Sequence, residues 1–339
     1  MEKYRVGIVG ATGMVGQRFI SLLKDHPWFE VNCVAASARS AGKTYREAVG
    51  ERWAFSWEIP EKVAGMTVVD AADIDEVSKH VDFVFCAVDM KKDEIRALEE
   101  AYAKHEIPVV SNNSACRGIE DVPMVVPEIN ADHLAVIEAQ KKRLGTKNGF
   151  IAVKPNCSIQ SYVPALTPLL DFEPEKVSVC TYQAISGAGK TFKTWPEMVD
   201  NVIPYIGGED EKSENEPLKL WGHVEDGKIV NATLPVISAQ CLRVACSDGH
   251  MAAVSVSFKK KPTIEQIKER WANYETEAQR LELPSAPKPF LQYFEDPSRP
   301  QTRLDRDFQN GFGVSIGRLR EDKLFDYRFV CLSHNTVRG

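Results

Sequence analysis

Long apolar runs are missing from this chain of 339 residues. None approaches the roughly 20 residues that a membrane-crossing helix needs, so no membrane partner is expected. The opening MEKYRVGIVGATG lacks the charged, apolar and small-residue blocks of a secretory leader, and the expected compartment is the cytoplasm. Basic charge is not in excess either. Lys and Arg number 42 against 48 Asp and Glu, a formal net charge of −6, which argues against a nucleic-acid partner. The one basic triplet, Lys259–Lys261, falls at a strand end and reads as a solvated edge. No C-x-x-C pair occurs among the eight cysteines, which argues against a zinc ribbon or a thioredoxin-type site, and no metal is expected. Several cysteines, such as Cys86 and Cys180, sit inside apolar strand patterns, where a free thiol packs as a small core residue. Internal repeats and low-complexity tracts are absent.

The composition, 43% hydrophobic and 27% charged, is that of a globular protein, and the length suits two domains. The first half interleaves strand patterns (5–9, 31–36, 66–69, 83–88, 108–111, 150–153) with helix patterns at 14–24 and 93–105. That alternation predicts a parallel, doubly wound α/β sheet. The second half is dominated by strand patterns (176–185, 242–245, 250–259, 313–318, 325–332), which predicts an α+β domain on a mostly antiparallel sheet. The boundary is placed at 156/157, giving a nucleotide-binding domain over 1–156 and a catalytic and dimerisation domain over 157–332, with 333–339 returning to the first. Helices are expected immediately after Cys157 and over 263–280 behind Pro262, and the polar stretch 207–217 reads as a surface loop.

The first strand runs into Gly10-Ala11-Thr12-Gly13-Met14-Val15-Gly16 and then into an apolar helix. A glycine turn between strand and helix lets the backbone approach a pyrophosphate, and the helix N-terminus offers unpaired N–H groups to it. The alternative is a glycine turn with a structural role only. At the end of the second strand an NAD enzyme carries an acid for the ribose 2′-hydroxyl. Here Ser37, Arg39 and Ser40 stand instead, which suits the 2′-phosphate of NADP; the alternative is a solvated loop.

Cys157, in Pro155-Asn156-Cys157-Ser158, is expected near a helix N-terminus, where a thiolate is stabilised. The alternative is one more packed thiol. His250, in Ser247-Asp248-Gly249-His250, sits at a strand start and could be structural or catalytic.

With these residues in place the sequence resembles the aspartate-semialdehyde dehydrogenases, particularly the archaeal and fungal branch. The matching stretches are GATGMVG at 10–16, SARSAGK at 37–43, PNCS at 155–158 and QAISGAGK at 183–190. Further matches are Glu216-x-x-Lys219, RVACSDGH at 243–250 and HNTVRG at 334–339. The resemblance implies a Rossmann-type NADP domain joined to a catalytic domain of the glyceraldehyde-3-phosphate dehydrogenase type, in a homodimer or homotetramer. It implies reduction of L-aspartyl 4-phosphate with NADPH to L-aspartate 4-semialdehyde and phosphate, in lysine (diaminopimelate), threonine and methionine biosynthesis. By the same resemblance Cys157 attacks the acyl phosphate, His250 is the acid–base group and Gln183 orients the acyl carbonyl. Arg243 grips the α-carboxylate through a bidentate fork, Glu216 pairs with the ammonium, and Lys219 and Arg117 hold the phosphate. For Glu216 and Lys219 the alternative is an i,i+3 surface pair. Asn156 caps the following helix or helps hold the reacting carbonyl, and Ser186, Gly187, Gly189 and Asn335 line the nicotinamide end. Cys116 and Cys246 are packing residues. Family members continue past this last motif into a small-residue stretch and a closing helix.

Rival readings are a malonyl-CoA reductase or another thioester-forming acyl reductase on the same framework, and a non-catalytic nucleotide-binding scaffold. Glu216 would have no ammonium to pair with on a malonyl group. A scaffold would be expected to have lost Cys157, His250 or Arg243, which are all present.

Overall fold

The structure, a computed structural model, describes residues 2–339. The chain divides into two compact units: 1–125 with 132–154 and 224–229, and 126–131 with 155–223 and 230–339. The last residues, 333–339, fall in the second unit, where Arg338 forks onto Glu128 at 3.0 and 3.1 Å.

In the first unit β1 (Tyr4–Val9), β2 (Phe29–Ala36), β3 (Val69–Asp70), β4 (Phe83–Cys86), β5 (Val109–Ser111) and β6 (Ile151–Val153) form one sheet in the order β3-β2-β1-β4-β5-β6. Every pairing is parallel, so each strand returns through a crossover. This is the doubly wound dinucleotide-binding order, whose direction reverses between β1 and β4. Val6, Ile8, Val31 and Val34 fill its centre and pack with Ile20 and Leu23 of the helix Met14–Leu23. A short ribbon, β9 (His223–Glu225) with β10 (Lys228–Val230), adds Ile229, whose N–H donates to Glu120 O at 2.9 Å.

The second unit is built on a seven-stranded sheet. Its strands are β7 (Pro174–Gln183), β8 (Val202–Ile203), β11 (Val236–Val244), β12 (His250–Phe258), β13 (Leu291–Phe294), β14 (Val314–Glu321) and β15 (Tyr327–Ser333), in the order β13-β14-β15-β12-β7-β11-β8. It is mixed and mostly antiparallel; β7 with β11 and β13 with β14 are its parallel pairs. Alternation along the strands sorts residues to two faces. Val177, Val179 and Thr181 of β7, Ile237 and Cys241 of β11, and Ala252, Val254 and Val256 of β12 are buried on one face. Gln183, Arg243 and His250 continue that same parity at one end of the adjacent strands β7, β11 and β12.

Three sequence expectations fail here for identifiable reasons. The stretch 207–217 is not a loop: Glu209–Leu220 is a helix led by three acids in its first turn, where they favour the macrodipole. Pro217 lies inside that helix and cannot donate to Ser213 O. The buried Tyr162 hydroxyl donates to that carbonyl instead, at 2.6 Å. Asp210 and Glu214, one turn apart, accept the N–H groups of Cys241 (2.7 Å) and Ala239 (3.1 Å), two apart on β11. The acidic run is thus the cover of a strand edge. Second, no long helix follows Cys157. Residues 157–162 are turns, and only Val163–Leu166 is α-helical, because Pro164 and Pro168 interrupt the hydrogen-bond ladder. Third, 263–280 splits into Ile264–Ala272 and Glu277–Arg280, since Thr263 and Thr276 each start a helix with a capping box.

Candidate active site

In the first unit the glycines of the 10–16 loop have separate jobs. Gly10 has φ +89°, and a Cβ there would lie 2.3 Å from Ala87 O; one on Gly16 would lie 2.4 Å from Gly10 O. Both are dictated by the fold. A Cβ on Gly13 would meet only Gly10 O, at 3.5 Å, so the protein itself does not demand a glycine there. It leaves the mouth of the loop clear in front of a helix whose first N–H groups lack a side-chain cap. The loop is pinned from behind by residues that carry no motif: Tyr45 Oη donates to Ala11 O at 2.8 Å, and Gln17 Nε2 to Thr12 O at 3.0 Å. Past β2, Ser37 and Arg39 are exposed in a turn closed by Ser40 N–H to Ser37 O at 2.8 Å. These residues fit a dinucleotide with a 2′-phosphate: an anion cradle with room, and a cation with hydroxyls where an acid would repel. Arg117, after β5, also belongs to this unit and donates to Asn112 O at 3.2 Å.

In the second unit Cys157 and His250, 93 positions apart, come together with Sγ 3.4 Å from Nε2. Cys157 is half-buried and His250 fully buried. Asn156 folds the chain around the cysteine, its Oδ1 accepting both the N–H (2.8 Å) and the Oγ–H (2.7 Å) of Ser158. This is a turn around the thiol, in place of the expected helix cap. Arg243 is buried beside the pair and donates to Ala184 O at 2.7 Å. Burial pushes its guanidinium down, while Cys157 and Glu209 act to hold its charge. A Cβ on Gly187 would lie 2.8 Å from Arg243 Nη1 and 3.0 Å from His250 Nε2. Asn335 ties the two flanking loops, accepting from Gly249 N–H at 2.8 Å and donating to Ser186 Oγ at 3.0 Å. Gly189, at φ +65°, closes the turn that Ser186 and Gly187 belong to.

The helix Glu209–Leu220 supplies what the sequence reading misses. Buried Glu209 accepts from Asn156 Nδ2 (2.9 Å), Gln183 Nε2 (3.1 Å) and Lys212 Nζ (2.8 Å). Burial pushes its carboxyl up, but the bonds from Lys212, Gln183 and Asn156 outweigh that and hold it below the usual range. Gln183 is fixed at its other end by Thr181 Oγ1 at 3.0 Å. Glu209, Ser213 and Glu216 follow one helix face, with Ser213 Oγ 3.0 Å from Ser158 Oγ and Glu216 accepting the Asn156 N–H at 2.5 Å. Glu216 therefore serves the backbone before the cysteine, while its expected partner Lys219 is buried. The available signal was the i,i+4,i+7 spacing of 209, 213 and 216, hidden by reading the run as a loop. Among the described residues no cluster of His, Cys, Asp or Glu could hold a metal ion.

A doubly wound nucleotide-binding unit and a mixed-sheet unit with a thiol–imidazole pair define the class of NAD(P)-dependent dehydrogenases. The family models for the semialdehyde dehydrogenase NAD binding domain and dimerisation domain match residues 5–137 and 166–338. The chain is 43% identical to the aspartate-semialdehyde dehydrogenase of Archaeoglobus fulgidus and 44% identical to that of Schizosaccharomyces pombe, each match covering 99% of this chain and 94% of the relative. The crystal structure of aspartate semialdehyde dehydrogenase with NADP from Candida albicans is 37% identical, with a TM-score of 0.89 over 100% of this chain and 95% of that one. The chain belongs to the aspartate-semialdehyde dehydrogenase family.

Proposed function

We propose that the chain catalyses the NADPH-dependent reduction of L-aspartyl 4-phosphate to L-aspartate 4-semialdehyde and phosphate, in the biosynthesis of lysine, threonine and methionine. The observation that carries this reading is the Cys157–His250 contact beside Arg243. A soft nucleophile forms a thioester that hydride can reduce, and NADPH supplies that hydride when bound, held by Gly10, Ala11, Thr12, Gly13, Met14, Val15 and Gly16 with Ser37, Arg39 and Ser40. Cys157 attacks the acyl carbon, His250 attends the reacting oxygen and Gln183 orients the carbonyl. Buried Arg243 is the fork for the α-carboxylate. For the ammonium and phosphate handles the geometry favours Glu209 and Lys212, two turns ahead of Glu216 and Lys219, because Glu209 touches both Asn156 and Gln183. Arg117 remains a phosphate ligand in this reading.

A dimerisation domain is present. The second face of the β7–β11–β12 sheet exposes Tyr182 and Val236, and Val202 and Tyr205 are exposed nearby on the chain. We assign that apolar face to a homodimer contact, with a homotetramer as a pair of such dimers, in the cytoplasm. No helix among the described residues is long and apolar enough to cross a membrane.

The test of function is phosphate-dependent reduction of NADP⁺ by the purified protein given L-aspartate 4-semialdehyde, beside Cys157→Ala. Turnover that needs phosphate and disappears in the variant is the expected result. Turnover surviving in Cys157→Ala would sink the acyl-enzyme route. Silence from a protein that binds NADPH would favour a different acyl substrate.

A further inference from the structure

We infer that Glu99 is a positioning residue for the phosphate: through Ser111 and Asn113 it fixes the Asn112 carbonyl against which the Arg117 guanidinium is set. The inference rests on the place given to Arg117 in the reaction proposed above.

Glu99 lies on the helix Lys92–Lys104, in the buried stripe that it shares with Ile95, Tyr102 and Ala103. It is fully buried, and an acid in such a stripe costs more than an apolar residue unless its oxygens are used. One of them is used twice. Glu99 Oε1 accepts from Ser111 Oγ and, at 3.0 Å, from Asn113 Nδ2. Ser111 Oγ in turn accepts the Asn113 N–H at 3.0 Å. Oε2 has no hydrogen-bond partner. Burial first, and the carboxyl second, push up the thiols of Cys86 and Cys116 beside it, so both stay neutral. The helix is itself a firm base, since a Cβ on Gly149, two residues before β6, would run into Ala103 O.

Ser111 ends β5 and Asn113 follows two positions later, so the carboxyl holds the chain on both sides of Asn112. The Asn112 N–H donates to Cys86 O at 2.8 Å, which extends the β4–β5 pairing by one step. Its carbonyl accepts from Arg117 Nη2 at 3.2 Å, and the Arg117 N–H closes the turn onto Ser114 O at 3.3 Å. A guanidinium held by one nitrogen against a fixed carbonyl presents its other N–H groups in a set direction, as recognition of a phosphate needs. The turn stands at the C-terminal ends of the parallel strands, where such sheets bind their ligands. Without Glu99, Ser111 Oγ and Asn113 Nδ2 lose their shared acceptor, and the carbonyl between them is free to turn.

The experiment is a titration of the purified, NADP⁺-saturated protein with inorganic phosphate, followed by ³¹P NMR. Glu99→Ala and Arg117→Ala are each expected to weaken phosphate about tenfold or more, and the double variant no further than Arg117→Ala alone. Glu99→Gln keeps the Oε1 acceptor and is expected to stay within about twofold of wild type. NADPH affinity is expected to hold within about twofold throughout. In turnover, KM for phosphate rises while KM for L-aspartate 4-semialdehyde does not. Should Glu99→Ala not fold, Ser111→Ala decides: it removes the hydroxyl between Glu99 and the Asn113 N–H, with an expected loss of about fivefold or more. Unchanged phosphate affinity, fully additive losses, equal weakening of NADPH, or a Gln variant as poor as Ala would each overturn the inference. Phosphate affinity that falls as expected in a protein without phosphate-dependent turnover would remove the reaction and leave the inference standing.

Discussion

A methyl group at Gly187 would press on Arg243 Nη1 and His250 Nε2 together, yet the residue is exposed and needs no left-handed backbone. Gly187→Ala is therefore expected to lower kcat by about tenfold or more, through displaced donors, while the melting temperature stays within a few degrees of wild type. Steady-state kinetics beside a thermal melt check this, and a large fall in stability with normal kcat would contradict it. Arg39 is the second residue-scale case. It is exposed past β2 and has the charge that a 2′-phosphate calls for. Removing one charge-assisted contact costs about 1.5–3 kcal/mol, so Arg39→Ala should weaken NADPH by about 10- to 100-fold and leave NADH unchanged. Calorimetric titration of both nucleotides decides it; equal weakening of the two would remove Arg39 from the phosphate site.

The helix Glu209–Leu220 behaves as a device with two working faces. Asp210 and Glu214 satisfy the edge of β11, and Glu209, Ser213 and Glu216 hold the turn around Cys157. Its internal proline is accommodated by the Tyr162 hydroxyl, which takes the Ser213 carbonyl that Pro217 cannot reach. Tyr162→Phe keeps the shape but leaves a buried carbonyl without that donor, at a cost of about 1–3 kcal/mol. In a Pro217→Ala background the restored helical N–H reaches Ser213 O, and the same change should cost clearly less. A double-mutant cycle by urea unfolding measures the coupling; additive effects would mean that the hydroxyl does not stand in for the missing N–H.

Across the second unit, Arg338 joins segments that are far apart in the chain. Besides the fork onto Glu128 it donates to Gln160 Oε1 at 3.2 Å and to Phe312 O, and its guanidinium lies 4.8 Å from the Phe290 ring centre. Arg and Glu side chains are both more than nine-tenths buried. Removing one partner of such a pair strands a buried charge and costs about 3–5 kcal/mol. Arg338→Ala is expected to lose that much in denaturant unfolding, and Arg338→Ala with Glu128→Ala less than the sum of the single changes. A loss under about 1 kcal/mol would show that the clamp is not holding the unit together.

Local rules sufficed for the alternating strands and helices of the first unit, the glycine turn with its helix start, and the missing acid past β2. Each is set by neighbours within a few positions, by φ, by periodicity or by charge. Cys157 and His250 stood out in the same way, as polar residues at strand and turn ends. What local rules misread was the run 207–217, because its acids are satisfied by N–H groups of a strand some 25 to 31 positions away. The short helix after Cys157 was likewise decided by prolines within an otherwise helical pattern. Only the tertiary structure brought sulfur and imidazole to 3.4 Å, aligned Gln183, Arg243 and His250 at one end of one sheet face, and made Glu209 the hub between Asn156 and Gln183. The physical reason is that strand order and register set those distances, and both come from burying whole faces of a sheet, a property that no short stretch of sequence carries alone.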